Sequence, residues 1–476
     1  MIDVKSTGAI GDGVADDSAA FQRAHDALPA TGGCIFVSAG VYRIASNAFV
    51  ISKPGVRLQG EGWSNSIIRR LVDNDGVLID VTETATAFTA VDLSIFDHSI
   101  SPTNTGTLLR MVSLNEVAIS RCWLQSGYRL IHLAFGSNYE ISNCTLEHGR
   151  LHAIHGLQAA DVRISDSTFY ATGAVATDGL GAAAIKIEKE DSHAFRPYLW
   201  MITGNTFVNT NVGHNIFAVE VANLGIIGNQ WELTGRFNAD TYDEIKLESC
   251  ESVTIAGNTS ALEINTYSNK TITGATNASP IVITTDGPNV FWNGATLVIH
   301  GVTGNTAANG TWAITPLTST TFSLNGSAGN GAYTGGGRAD VRATRYVVNI
   351  DGGCSKVRIA GNTFNRGASG TINDLAADTV IYSSVPDEWP RRFLNGSVQW
   401  NMPSTADNAI ASTTVTVTGA AVGDPVLASL STLGNVGALV SAHVISANTI
   451  LVIVLNKSGG PIDPAAGTLN VVVMKR

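Results

Sequence analysis

An eight-residue phrase recurs along the middle of this chain and limits its fold more than any other feature. It reads Val-Ala-Ile-Ser-Arg-Cys-Trp-Leu at 117–124, Trp-Met-Ile-Thr-Gly-Asn-Thr-Phe at 200–207 and Val-Arg-Ile-Ala-Gly-Asn-Thr-Phe at 357–364, with four further copies between. The anchors Ile119, Ile141, Ile164, Ile202, Ile226, Ile255 and Ile359 are separated by 22, 23, 38, 24, 29 and 104 residues, taken as differences of their numbers. A period in the twenties with alternating apolar positions is the mark of a solenoid. The units are β-branched and turn-bounded, with no helical stripe, so each reads as strands. One unit cannot bury its own apolar face, and the units must stack.

Stacking turns repeated positions into columns. Three residues after each anchor stand Cys122, Cys144, Ser167, Asn205, Asn229, Asn258 and Asn362; five after stand Leu124, Leu146, Phe169, Phe207, Trp231, Ser260 and Phe364. Rungs of a parallel β-helix lie about 4.8 Å apart, close enough for amides to bond up a column and rings to stack. The expected fold is therefore an all-β parallel β-helix, a single-stranded solenoid.

Composition narrows the setting. Charged residues are only 14% of the chain and glycine is abundant at 49, which suits a turn-rich protein with a dry core. The net charge is −10 and no basic run is present, which argues against nucleic acid as a partner. No run of about 18 apolar residues exists, so no membrane insertion is expected. The first residues, MIDVKSTGAIGDG, have no apolar core and are not read as a signal peptide. With five cysteines and no such signal, reduced thiols are expected, as buried members of the ladder. No His/Cys cluster has metal-ligand spacing, and neither a metal nor a cofactor is expected.

The amino-terminal segment carries Gly-Ala-Ile-Gly-Asp-Gly-Val-Ala-Asp-Asp-Ser at 8–18, an alternating strand at 34–44 and Leu-Gln-Gly-Glu-Gly at 58–62. Asp16 or Asp17 reads as the N-cap of a short helix with Phe21, Ala24 and Leu28 on one side. This segment closely resembles the start of the pectate-lyase-like superfamily of right-handed β-helices, with Ser18 and Ser38 in place of the usual Thr and Pro. The 104-residue step leaves room for an inserted small β-domain at 269–343. It is similar to inserts of phage tail proteins in Val302-Thr-Gly-Asn-Thr and Phe322-Ser-Leu-Asn-Gly. Residues 397–476 resemble the C-terminal β-sandwich that ends many phage tailspikes.

The organisation expected is thus a capping helix with first strands at 1–50, β-helix at 51–268, the insert at 269–343 and last rungs at 344–384. A connector at 385–396 and a C-terminal trimerisation sandwich at 397–476 follow. The whole resembles a bacteriophage tailspike, a polysaccharide depolymerase. That resemblance implies a homotrimer on the virion tail, joined to the tail, baseplate or another tail protein at its N-terminal end. Its target would be a bacterial surface polysaccharide: O-antigen, capsule or exopolysaccharide.

The chemistry is sought on an outward column. Apolar pairs flanking one residue before each anchor give Arg110, His132, His155, Lys186, Glu220, Lys246 and Asn349. Two residues to either side come Glu188, Glu244 and Glu248. This alignment predicts one wall bearing Glu220 about 8 Å from Glu188, Glu244 and Glu248. Inverting glycosidases hold their carboxyls about 6.5–9.5 Å apart, so these four are the candidate acid and base. Lys186, Lys246 and His155, with Arg196 and Tyr198 from one loop and Arg236 and Tyr242 from another, are candidates for holding sugar. An ion ladder of lysines and glutamates on a solvated sheet gives the same pattern, each pair worth about 0–1 kcal/mol. The activity expected is hydrolysis by a glycoside hydrolase; elimination from a uronic-acid polymer with a Lys or His base and adhesion without cleavage are the alternatives.

Overall fold

In the computed structural model the chain winds as a right-handed parallel β-helix. The structure describes residues 1–476 except 46–47, 71–75, 98–104, 173–180, 209, 211–212, 233–241, 262–268, 290, 342–344, 365–369, 377–378, 383–392, 435–436 and 475–476. Each regular rung contributes three short strands, for example Arg129–Ala134, Ser137–Ser142 and Thr145–Glu147. Like strands pair in parallel into three long sheets of 12, 10 and 10 described strands. The first sheet carries the anchors, and Ile119, Ile141, Ile164, Ile202, Ile226, Ile255 and Ile359 lie directly over one another.

The corners between sheets explain the recurring phrase. The residue two after each anchor is Arg121, Asn143, Asp166, Gly204, Gly228, Gly257 or Gly361, and every one is left-handed, with φ between 50° and 66°. Glycine takes that conformation without steric cost, which is why the later copies read Gly-Asn. A second left-handed corner joins the third sheet to the first at Ser113, Phe135, Gln158, Glu220 and Ser249.

Next to the glycine corner the asparagines bond up the stack. Asn205 Nδ2 donates to Asn229 Oδ1 at 3.0 Å, Asn229 Nδ2 to Asn258 Oδ1 at 3.0 Å, and Asn258 Nδ2 to Asn362 Oδ1 at 2.9 Å. Each Oδ1 also accepts the backbone N–H of the preceding member, and each Nδ2 donates to a carbonyl such as Ile164 O or Ile202 O. Beside them the interior rings follow the predicted column, Phe169 stacking on Phe207 at 4.6 Å and 10°. Asn258 and Asn362 bond as next neighbours despite being 104 residues apart in sequence. The chain between them is spliced out of the winding.

That excursion forms a closed antiparallel barrel of Asn269–Ala275, Ile281–Thr285, Thr296–His300, Gly310–Pro316, Thr321–Leu324 and Arg338–Val341, with its own core around Leu297, Phe322 and Ile314. Its return is clamped. Buried Asp243 accepts both guanidinium donors of Arg345, at 2.9 and 2.6 Å, and Asn349 Nδ2 at 2.9 Å.

At the amino end the helix Ser18–Asp26 lays Phe21 against Tyr42 and Phe49. The capping expectation needs correction. Asp17 holds the N-cap position but its carboxylate binds the backbone N–H groups of Ile10 and Gly11, folding back the Gly-Ala-Ile-Gly loop. Asp16 accepts from Ser18 N instead.

Residues from Pro386 onward form a separate compact unit. It has two three-stranded antiparallel sheets, Phe393–Trp400 with Gly467–Met474 and Val426–Leu430, and Ile410–Thr416 with Thr449–Asn456 and Ala438–Ser446. The expected connector at 385–396 is therefore too long. Residues 393–396 already pair with the last strand, because Leu394 is buried in the sandwich core opposite Val473.

Replacing Asn229 by Ala should leave the Asn205 N–H and amide without their acceptor inside the stack. A loss of about 3 kcal/mol is expected, read as a lowered midpoint in thermal or denaturant unfolding.

Candidate active site on the third sheet

The third sheet presents its outer face through residues that alternate with core positions. In the observed register Arg110, His132, His155, Lys186, Phe217, Lys246, Asn349 and Asn373 lie over one another. Glu220 is not among them. The expected alignment set Val219-Glu220-Val221 against Ile185-Lys186-Ile187, but the chain pairs Ile216-Phe217-Ala218 there. The stretch from Ile216 to Val219 is apolar throughout, so its alternation does not fix which residues face out. Glu220 instead sits at the left-handed corner, where its carboxylate meets Lys189 at 3.1 Å.

Glu244 is corrected as well. It is 4% exposed and points into the helix, accepting from Ser260 Oγ at 2.9 Å. Ser260 occupies the position that Trp231 and Phe364 hold in the flanking rungs, and the small residue admits the carboxyl. The four glutamates therefore do not share a wall.

Two of them do. Glu188 and Glu248 both lie in register with Val219, one rung to either side on the same face. Two rungs at about 4.8 Å put their backbones about 9.6 Å apart. Their side chains are 33% and 34% exposed. Glu188 accepts from His155 Nε2 at 2.8 Å and meets Lys186 Nζ at 3.4 Å; Glu248 meets Lys246 Nζ at 2.7 Å. Between the pairs lies Phe217, with Lys186 Nζ 3.3 Å and Lys246 Nζ 4.4 Å from its ring centre. An ammonium on each side of one ring is a double cation–π contact, each worth about 0.5–2 kcal/mol.

These contacts set protonation. Burial by itself pushes the Glu188 carboxyl up, but the His155 hydrogen bond and the Lys186 charge outweigh it and hold the group at about 2. Burial pushes His155 down, with Glu188 opposing. His132, stacked on His155 at 4.8 Å, is pushed to about 3 by burial and by that neighbour. Burial also lowers Lys186, again with Glu188 opposing. Glu188 is thus an ionised carboxylate beside an imidazole that is readily neutral.

The remaining expected residues scatter around this pair. His155 and the two lysines belong to it. Arg196 stands on the loop that leaves the sheet at Glu188, Tyr198 begins the strand at which that loop ends, and Tyr242 packs its ring on His214 at 5.3 Å. Arg236 lies outside the described residues. Phe217 and His132 are the members that sequence reasoning left out of the site. The one trace of Phe217 in the sequence is an aromatic within the otherwise aliphatic run Ile216–Val219. Among the described residues no group of three or more His, Cys, Asp or Glu side chains is placed to hold a metal.

Because the folded carboxyl of Glu188 lies below its ordinary 4.5, it stabilises the fold above about pH 4.5 and loses that contribution as pH falls towards 2. Glu188→Gln should flatten the pH dependence of thermal unfolding in that window. His155→Ala should raise the carboxyl's pKa in a direct NMR titration.

Residues 1–235 match the family described as "Rhamnogalacturonase A/epimerase, pectate lyase-like". A mannuronan C5-epimerase, AlgE4 of Azotobacter vinelandii, is 35% identical over 88 residues, 17% of this chain and 16% of that protein. The chain thus spans about a sixth of that relative's length. Among solved structures, the catalytic unit of an α-1,3-glucanase from Streptomyces thermodiastaticus aligns with a TM-score of 0.48 and 14% identity, over 80% of this chain and 55% of that one. The tailspike of the E. coli bacteriophage HK620 aligns at 0.39 and 12%, over 100% and 94% of the respective chains.

Proposed function

We propose, with support from the match of residues 1–235 to the family described as "Rhamnogalacturonase A/epimerase, pectate lyase-like", that this protein binds a bacterial surface polysaccharide along its third sheet and hydrolyses it. The observation that carries the reading is the pair Glu188 and Glu248, exposed on one face two rungs apart. Their backbones stand about 9.6 Å apart, just above the roughly 6.5–9.5 Å over which inverting glycosidases hold their carboxyls. Glu188, held ionised, is the base that takes a proton from the attacking water. Glu248, once it has taken up a proton from solvent against its Lys246 contact, gives that proton to the departing glycosidic oxygen. Lys186 and Phe217 line the floor between them.

Glu188→Gln and Glu248→Gln should each lower the release of reducing ends from the susceptible polymer by about 10²–10⁴-fold, while Glu220→Gln changes it little. The freed anomeric centre should be inverted by NMR. Undiminished release in both variants would overturn the assignment.

A second reading has its own support. His155 and Lys186, both lowered by burial, are bases beside a carboxylate, as proton abstraction from a uronic acid would need. An ultraviolet-absorbing product with a new C=C bond would favour elimination over hydrolysis. Persistent binding of an intact polymer would favour an adhesin.

The same proposal makes the chain a homotrimeric tailspike, acting at the bacterial surface from a virion tail to which its N-terminal end is joined. The C-terminal unit supports this with aliphatic side chains that a lone chain leaves in water, Leu427, Leu439 and Ile445 at 63%, 62% and 51% exposed. Light scattering should give three times the mass of one chain, and Leu439→Glu should shift it towards the monomer.

A further inference from the structure

The loop at 189–197 leaves the third sheet immediately after Glu188 and returns at Tyr198 in the first sheet. It is held in one shape. Glu190 N donates to Gln158 Oε1 at 3.2 Å, and Gln158 Nε2 donates to Phe195 O at 2.9 Å. Within the loop, Ser192 N donates to Glu190 Oε2 at 3.0 Å and His193 N to Glu190 O at 2.9 Å. The His193 ring lies 5.2 Å from that of Phe135, a corner residue two rungs earlier.

Between this loop and the corner is an open cleft of about 750 Å³. Phe135, Gln158, His193, Phe195, Arg196 and Tyr198 line it. Phe195 is 78% exposed and Tyr198 44%. A loop clamped this firmly does not need two rings in water for its own stability. Arg196 reaches Glu251 only at 4.0 Å, while Lys356 holds that carboxylate at 2.6 Å, so the guanidinium can engage a ligand.

We infer that this cleft is a saccharide subsite next to the carboxylate pair. It would take a pyranose unit of the same polymer with its C–H face on Phe195 and a hydroxyl or carboxylate on Arg196. Its position follows from the register. Leu157 lies opposite Glu188, and the next residue, Gln158, is the one that clamps the loop. A sugar in the cleft would therefore flank the unit cleaved at Glu188. Aromatic platforms suit this ligand because a pyranose has an apolar face and a polar rim. A preformed ring also loses little entropy on binding. The inference rests on the third-sheet reading.

The test uses an array of purified bacterial O-antigen, capsular and exopolysaccharides, probed with the full chain. Glu188→Gln supplies a non-cleaving background. Adding Phe195→Ala to it should weaken retention of the bound polymer by roughly tenfold, and adding Arg196→Ala by roughly fivefold. Phe195 is exposed and Arg196 is half-buried with only a 4.0 Å ion pair, so circular dichroism and the melting midpoint should not change. Unchanged retention in both, with Glu188→Gln still binding and inactive, would overturn the subsite alone. No retention of any polymer by Glu188→Gln or by the unmodified chain would overturn the subsite and the third-sheet reading together.

Discussion

The structure depends on one constraint: each rung must sit over the last in the same register. The left-handed corner after each anchor and the asparagine beside it impose this together. The corner turns the chain at a fixed residue, and the amide Oδ1 accepts from the backbone N–H and the side-chain amide of the rung before it. A slip of one residue would send apolar side chains to solvent and strand those amides in the core, where each lost bond costs about 1–3 kcal/mol. The ladder thus fixes parity on the first sheet, and through the second corner it fixes which residues of the third sheet face out.

The third sheet shows both the strength and the limit of reading such parity from sequence. The winding, the asparagine and aromatic columns and the presence of an inserted β-domain were legible because they recur with the anchor phrase. Asn258 and Asn362 reveal the insert even before any coordinate, since both belong to one repeated phrase. The outward column was legible where apolar neighbours flank a polar residue, as at His132, His155 and Lys186. It failed at Ile216-Phe-Ala-Val219, where nothing polar marks the outer side. A shift of three residues moved Glu220 from the face to the corner.

Glu244 failed for a different reason. The expectation put it on the outward face two residues before Lys246, but side chains at that position, Ala184 and Asn215 among them, turn into the helix, and local spacing does not reveal that. The vacancy that admits it is made by Ser260, a residue on another sheet, through the break in the ring column at that rung. A carboxyl that fills a gap between sheets is visible only when both columns are set side by side. Phe217 was missed because an aromatic in an apolar run reads as core. It is in fact nearly buried, but beneath two lysine ammoniums rather than beneath aliphatic side chains.

These particulars bear on whether Glu188 belongs to a reactive site or to an ion ladder. A solvated ladder gains little from each exposed pair. Here Lys186 is 4% exposed, pressed on Phe217, and His155 is nearly as buried with its Nε2 on Glu188. Taking those two groups out of water costs stability, and the ionised carboxylate they support is itself one-third exposed. The arrangement aims the carboxylate's remaining surface outward, with its protonation fixed from behind. That fits the base proposed for a bound polymer, while the cation–π contacts of both lysines on Phe217 stabilise the same arrangement.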